Sequence, residues 1–152
     1  ALWDTYNFST GATYNNKEFF NYKAHSTGRF LDAILNYYCG ERFPLLISWS
    51  TIVFGRDRNK ENTANKYSTL LSGIPIYTKS RWHADAGIGG AFALNKAGSK
   101  TNFYGNTNGI VHVLLKVTFD WTLAKHTMPI HACMVWNPQA DRAFFSTWYP
   151  II

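Results

Sequence analysis

The longest alternation of apolar positions lies in residues 109–121, where every second residue from Val111 to Trp121 is apolar. The intervening register mixes charged and apolar residues. Strand side chains alternate between faces, so the pattern predicts one long strand with a fully buried face and a partly wetted one. Its β-branched and aromatic residues favour a pleated surface over a helix. Residues 130–136 predict an antiparallel partner, reached through a polar connection long enough to leave the sheet.

Further stretches predict strands of different kinds. Residues 43–54 are apolar in both registers, which indicates a central strand. Residues 74–79 predict an edge strand, because Pro75 has no N–H to give to a ladder. Residues 18–22 and the apolar positions around Phe92 and Phe103 predict short strands.

Two segments have helical spacing instead. In residues 29–38, apolar side chains recur at three and four, Ser26 or Thr27 is available as an N-cap, and Gly40 follows as a stop. These features predict a short helix, with a strand as the alternative. Residues 64–71 predict one or two helical turns ended by Gly73. The Gly-Ile-Gly-Gly sequence at 87–90 predicts a flexible bend.

These segments together predict an all-β fold. The expected architecture is an antiparallel β-sandwich or jelly roll with one or two short helices in loops. The 152 residues favour a single domain spanning 1–152. A chain of this length can bury a core without a metal or disulfide staple.

Composition narrows the range of partners. Lys and Arg number 15 against 9 Asp and Glu, and the net charge of +6 favours polyanionic partners modestly. No block of like charges exists that would grip nucleic acid on its own. The aromatic content of 17% suits a stacking or interface surface, so a homo-oligomer is expected. No apolar run reaches the roughly 18–20 residues of a membrane span.

The residues that could carry chemistry are sparse. Cys39 and Cys133 either form a disulfide or act as small buried side chains. His131 and Cys133 share a strand face, but two ligands are too few for zinc, and the apolar surroundings of Cys133 do not suit a thiol nucleophile. The carboxylates are scattered. We therefore expect no metal, no cofactor and no enzymatic activity.

One cluster of mixed polar groups follows residue 80. On an extended segment, Arg81, His83 and Asp85 share one face, with Trp82 on the other. Trp82, His83 and Asp85 are thus candidates for binding a sugar or an anion, and His83 with Arg81 for a ribonuclease-like site. The alternative is a salt-bridged loop rim.

The basic residues are the candidates for nucleic-acid or anion binding. Phosphate contact needs positive charge on one surface rather than a motif. A solvated loop of mixed charge is the alternative for the segment after residue 55. The candidates are Arg56, Arg58, Lys60, Lys66, Lys79 and Arg81.

Two segments of the chain resemble a known family. One is residues 45–58, a long apolar strand running into Arg-Asp-Arg, and the other is residues 106–136, a Gly/Asn/Thr turn followed by two strands. They are similar to segments of the single-jelly-roll capsid proteins of circoviruses and geminiviruses. That family carries an Arg-rich N-terminal arm that binds the genome. The sequence, which begins at Ala1 without Met, has none. Either a segment is missing before Ala1 or the function differs.

The resemblance and the strand pattern together predict a virus coat subunit that self-assembles and contacts nucleic acid through its basic loops, located in the virion. The alternative is a secreted, lectin-like or virus-spike domain that binds a glycan or receptor. A small ribonuclease-like hydrolase ranks third.

Overall fold

A computed structural model describes residues 1–6, 17–95, 101–123 and 125–148 of the chain. The described residues form one eight-stranded antiparallel sheet, in which the strands are neighbours in chain order. The all-β prediction is therefore confirmed. The strands are β1 (Leu2–Thr5), β2 (Phe30–Tyr38), β3 (Leu45–Gly55), β4 (Ser68–Lys79), β5 (Trp82–Ala93), β6 (Gly109–Leu123), β7 (His126–Asn137) and β8 (Arg142–Trp148).

The Cα framework divides into two compact units. Unit 1 consists of Ala1–Asn36, Ser48–Leu71 and Ala91–Gly109, and unit 2 of Tyr37–Ile47, Ser72–Gly90 and Ile110–Ile152. Strands β2 to β6 contribute residues to both units. The single domain over residues 1–152 stays a prediction. No helix long and apolar enough to cross a membrane occurs in the part of the chain that is described.

Neither predicted short helix forms. Residues 30–38 are strand β2, which pairs with β1 from Leu2↔Ala33 to Thr5↔Phe30. The Ala1 carbonyl extends this pairing by accepting a hydrogen bond of 2.8 Å from Ile34 N. Residues 64–71 are irregular until β4 begins at Ser68. Pairing with neighbouring strands overrides the helical spacing in both segments.

Three other local predictions are also wrong. Residues 18–22 form a turn rather than a strand. Residues 74–79 belong to β4, which lies between β3 and β5 and is not an edge. The bend predicted at 87–90 lies within β5. A Cβ on Gly87 would approach the Ile74 side chain to 2.9 Å, so glycine here permits close packing rather than a bend.

The long strand predicted at residues 109–121 is confirmed as β6, and its antiparallel partner as β7. Pairing continues to Leu123↔His126, so only residues 124 and 125 separate the two strands. The predicted long connection is therefore wrong. The fully buried face is wrong as well: Val111 is buried, but Leu115 and Trp121 are exposed.

Apolar burial is limited within the described residues. Ile52, Ala91 and Val111 are the buried hydrophobic side chains there, whereas large apolar side chains are exposed on most strands. Many of the buried positions are polar, and Ser68 and Thr69 are fully buried. Cys39 and Cys133 are both free and half-buried, so the disulfide alternative is wrong.

Candidate functional site

The segment Arg56-Asp57-Arg58 follows β3 and forms the centre of a basic cleft in unit 1. Gly55 ends the strand with φ +102°, and Arg56 N then donates to the Arg29 carbonyl at 2.9 Å. Side chains of an extended segment alternate in direction, so Asp57 points opposite to its two neighbours. This alternation brings two cations to one side of the segment and a carboxylate to the other.

Asp57 anchors the segment from its buried side. Its carboxylate accepts hydrogen bonds from Ser68 N at 2.6 Å and from Ser68 Oγ at 2.8 Å. Ser68 Oγ in turn accepts from Phe103 N at 2.8 Å. The Asp57 side is thus tied to β4 and to the segment at 103, so this carboxylate does not neutralise the basic side.

Arg56 is held by aromatic rings. Its guanidinium lies 5.2 Å from the Phe30 ring centroid and 4.8 Å from that of Phe103. Cation–π contacts of this kind fix the position of a guanidinium without consuming its charge. The two rings therefore hold the Arg56 guanidinium at a defined place.

Arg58 is held by asparagines. Its Nε donates to Asn62 Oδ1 at 2.6 Å, Nη2 to the Asn62 carbonyl at 3.1 Å, and Nη1 to Asn65 Oδ1 at 2.7 Å. His25 Nδ1 lies 3.0 Å from the same Asn62 carbonyl, and Asn62 Nδ2 donates to the His25 carbonyl at 2.9 Å. These bonds join the turn at 24–26 to the loop after β3.

The cleft between this turn and this loop has a volume of about 290 Å³. None of its described lining residues carries a carboxylate. Two of them, Arg56 and Arg58, are cationic, and His25 is cationic when its ring is protonated. The lining consists of Ala24, His25, Ser26, Thr27, Arg56, Arg58, Asn59 and Asn62. A site with this composition favours an anion.

The other predicted basic residues lie outside this lining. Lys60 is exposed on the loop, and Lys66 Nζ donates to Thr101 Oγ1 at 3.1 Å. Lys79 and Arg81 are exposed and belong to unit 2. Of the six predicted basic residues, the cleft brings together Arg56 and Arg58. Sequence reasoning missed His25 and Asn62, because their pairing joins residues 37 positions apart.

The polar cluster predicted after residue 80 is only partly formed. His83 and Asp85 share one face of β5, whereas Arg81 lies in the preceding turn, where its carbonyl accepts from Asp120 N at 2.8 Å. Trp82 lies on the opposite face of β5, with its ring centroid 4.7 Å from that of Phe119.

The partners of this cluster come from neighbouring strands. His83 Nε2 contacts Asp120 Oδ2 at 2.8 Å, and its Nδ1 lies 3.2 Å from Thr78 Oγ1. Lys116 forms an ion pair with Asp85. Lys116 and Asp120 are the charged members of the mixed register of β6, so that pattern contained the signal. The salt-bridged alternative describes His83 and Asp85 better than a ligand site does.

The face of β5 and β6 that carries His83, Asp85, Lys116 and Asp120 is here called the polar face, and it continues onto β7 and β8. Thr118 Oγ1 lies 2.9 Å from His131 Nδ1, and the His131 ring stacks on Trp148 with 4.8 Å between centroids. Among the described residues, no group of three or more His, Cys, Asp or Glu side chains could hold a metal ion.

The opposite face of β5 to β8 carries no Asp, Glu, Lys or Arg among the described residues, and His126 at the end of the β6–β7 hairpin is its one titratable side chain there. The register places Val113 opposite Trp136, Leu115 opposite Met134, and so on along the hairpin. Alternation puts the following side chains on this face, here called the apolar face: Trp82, Ala84, Ala86, Ile88, Val113, Leu115, Val117, Phe119, Trp121, Met128, Ile130, Ala132, Met134, Trp136, Ala143, Phe145 and Thr147.

Several large members of the apolar face are solvent-exposed. Their exposed fractions are Trp82 53%, Leu115 45%, Trp121 44%, Ile130 42%, Trp136 41% and Phe145 76%. Monomeric proteins rarely expose a contiguous apolar surface of this extent, and such surfaces mark interaction sites. The alternation predicted that these side chains share a face, but not that the face is uncovered.

No protein-family model matches the chain, and no curated protein and no solved structure matches it either.

Proposed function

We propose that the chain is a structural subunit that assembles with further copies of itself through the apolar face, as a virus coat protein does, and contacts nucleic acid through the basic cleft. The exposed apolar face is the observation that carries this proposal. The basic cleft and the net charge of +6 support the nucleic-acid contact. A coat protein of this kind would be located in the virion.

The extent of the apolar face suits a second copy of the chain. If a fully exposed aromatic side chain contributes about 150–250 Å² and a Leu or Ile somewhat less, the six exposed residues of that face and Ile88, which is 54% exposed, together supply roughly 600 Å². A standard protein–protein interface buries about 800 Å² on each partner, and the half-buried Val, Met and Phe side chains of the same face supply the remainder. A face without Asp, Glu, Lys or Arg pairs well with an identical face, since no like charges of these residues oppose one another.

Two such faces form a two-layer structure. Sheets pack face to face about 10 Å apart, with their inner side chains interdigitating. The sandwich predicted from the strand pattern then arises between two copies, each contributing one layer. The jelly-roll arrangement stays a prediction, because in the described sheet every strand is paired with its neighbours in chain order.

Two adjacent phenylalanines on β8 provide a matched test. Phe145 pairs with Met134 on the apolar face, whereas Phe144 pairs with Val135 and points to the opposite face. Both are exposed, at 76% and 64%, so glutamate at either position costs the fold little. We expect light scattering after size-exclusion chromatography to show an oligomer for wild type and Phe144→Glu, and a monomer for Phe145→Glu.

A monomeric wild type at high protein concentration, or equal association of the two variants, would refute assembly through this face. A glycan or receptor that binds the apolar face is the other possible occupant. It is indicated if the wild type is monomeric and a glycan array shows binding that Phe145→Glu abolishes and Phe144→Glu retains.

A further inference from the structure

We propose that the basic cleft is a discrete phosphate-binding subsite, in which Arg58, Arg56 and His25 surround one phosphate group of a nucleic-acid strand. This inference rests on the nucleic-acid contact in the proposed function and locates it. It is independent of assembly through the apolar face.

Arg58 offers donors in a fixed orientation. Three of its five N–H groups are bound by Asn62 and Asn65, and the remaining two have no partner among the described residues. Because three bonds already hold the guanidinium, little side-chain freedom is lost when an anion binds. One of these N–H groups is on Nη1 and the other on Nη2, so each can donate to a phosphate oxygen.

His25 faces the same cleft with one nitrogen defined. The carbonyl of Asn62 can only accept, so His25 Nδ1 carries the hydrogen of their 3.0 Å contact. Nε2 then remains for a ligand, and it donates to a phosphate oxygen when the ring is protonated. Asn62 holds this arrangement in a left-handed conformation, with φ 57°. Non-glycine residues in this region concentrate at functional sites.

The described residues that line the cleft include cationic side chains and no carboxylate. Two guanidinium groups line it, whereas the neighbouring carboxylate of Asp57 is directed to Ser68 and is buried. The volume of about 290 Å³ lies near the lower end of the range for small-ligand sites, about 300–1,000 Å³. It accommodates a phosphate together with an attached sugar, which fits a nucleotide unit.

The test compares binding of three probes to the full chain at low salt: inorganic phosphate, deoxyadenosine monophosphate and a short oligodeoxythymidylate. The variants are Arg58→Gln and Arg58→Lys, with Arg42→Gln as the control. Arg42 is an exposed turn residue outside the cleft, so its variant makes the same change in net charge. Circular dichroism and melting temperature establish that each variant is folded.

We expect the oligonucleotide to bind most tightly. Arg58→Gln should weaken its affinity at least about tenfold and reduce the slope of log K against log salt by about 1. Arg58→Lys should also lose affinity, since a lysine keeps the charge but not the planar fork. Arg42→Gln should change the affinity less than about threefold. Binding of inorganic phosphate alone, with the same dependence on Arg58, would assign the subsite to free phosphate instead of nucleic acid.

Equal losses in Arg58→Gln and Arg42→Gln would overturn the proposal, because they indicate attraction by net charge alone. Full retention of affinity in Arg58→Lys would overturn the specific role of the guanidinium. Light scattering on the same samples separates the two proposals. If wild type associates but no probe binds, the phosphate subsite fails and assembly stands; if probes bind a monomeric wild type, assembly fails and the subsite stands.

Discussion

Replacing Gly55 by alanine tests how the basic cleft is positioned. Gly55 has φ +102°, and a Cβ built there overlaps the Arg29 carbonyl oxygen and lies 2.8 Å from Phe30 Cα. Both obstacles are backbone atoms, which cannot rotate away as a side chain can. The same Arg29 carbonyl accepts the hydrogen bond from Arg56 N, so relief of the overlap separates the loop from β2.

The expected loss of stability has two parts. Holding alanine in this left-handed conformation costs about 1–3 kcal/mol. Displacing the backbone sacrifices the bond to Arg29, worth about 0.5–1.5 kcal/mol, together with local packing. The total is roughly 2–5 kcal/mol. At about 2–4 °C per kcal/mol for a chain of this size, the melting temperature should fall by about 10 °C.

Gly40 provides a matched control for the conformational part. Its φ is +101°, but no atom lies within 4 Å of a Cβ built there. Gly40→Ala should therefore lose only about 1–3 kcal/mol. Urea and thermal unfolding, followed by tryptophan fluorescence at one fixed protein concentration, measure both variants, since self-association adds to apparent stability. Equal losses in the two variants would refute the argument from the Arg29 carbonyl.

Two further predictions concern the buried carboxylate of Asp57 and the half-buried carboxylate of Asp32. Asp57→Ala should lower the free energy of unfolding in urea by about 3–4 kcal/mol, because two charge-assisted bonds vanish and the fully buried Ser68 N–H loses its acceptor. The control Glu41→Ala, at an exposed position, should change it by less than about 0.5 kcal/mol. Similar losses in the two variants would contradict this prediction. Burial raises the pKa of Asp32 above its unfolded value of 3.8, although the hydrogen bonds from Ser50 act in the opposite direction. Stability therefore falls as the pH rises from 3.8 towards the folded pKa, because the folded state binds more protons than the unfolded state in this interval. Asp32→Asn should therefore raise the melting temperature at pH 7, with a gain that shrinks below about pH 4. An equal gain at pH 3 and pH 7 would contradict the sign.

The β6–β7 hairpin was largely predictable because alternation is a local property. A period of two determines which side chains share a face, and the pairing observed from Val113↔Trp136 to Leu123↔His126 preserves that grouping. Burial was not predictable in the same way. It depends on what covers the face, and the exposed Leu115 and Trp121 show that nothing among the described residues covers it fully.

The segment at 29–38 shows the limit of periodicity. Its apolar residues fit spacings of both two and three to four, so the pattern alone admits a strand and a helix. Pairing with β1 decides in favour of the strand, through the bond between Ile34 N and the carbonyl of Ala1, 33 positions away. A contact over such a separation leaves no local trace in the sequence.

The candidate sites divide along the same line. Arg56 and Arg58 were predictable as candidates from their charge. That both line the cleft while Asp57 does not depends on the burial of Asp57 against Ser68, 11 residues further on. The predicted cluster of His83 and Asp85 is neutralised instead by Asp120 and Lys116 from β6. Residue type therefore identified candidates, while long-range pairing determined which of them remain available to a ligand.

The positions of these ion pairs also determine which face of β5 to β8 is suited to assembly. His83–Asp120 and Asp85–Lys116 lie on the polar face and are partly exposed to water. Packing another sheet on that face would remove four charged or polar groups from solvent, and the desolvation cost reaches several kcal/mol for each ion. Packing on the apolar face removes no ion from water and buries exposed tryptophan, leucine, isoleucine and phenylalanine. A second copy should therefore bind the apolar face, and a glutamate at Phe145 should oppose that binding where one at Phe144 does not.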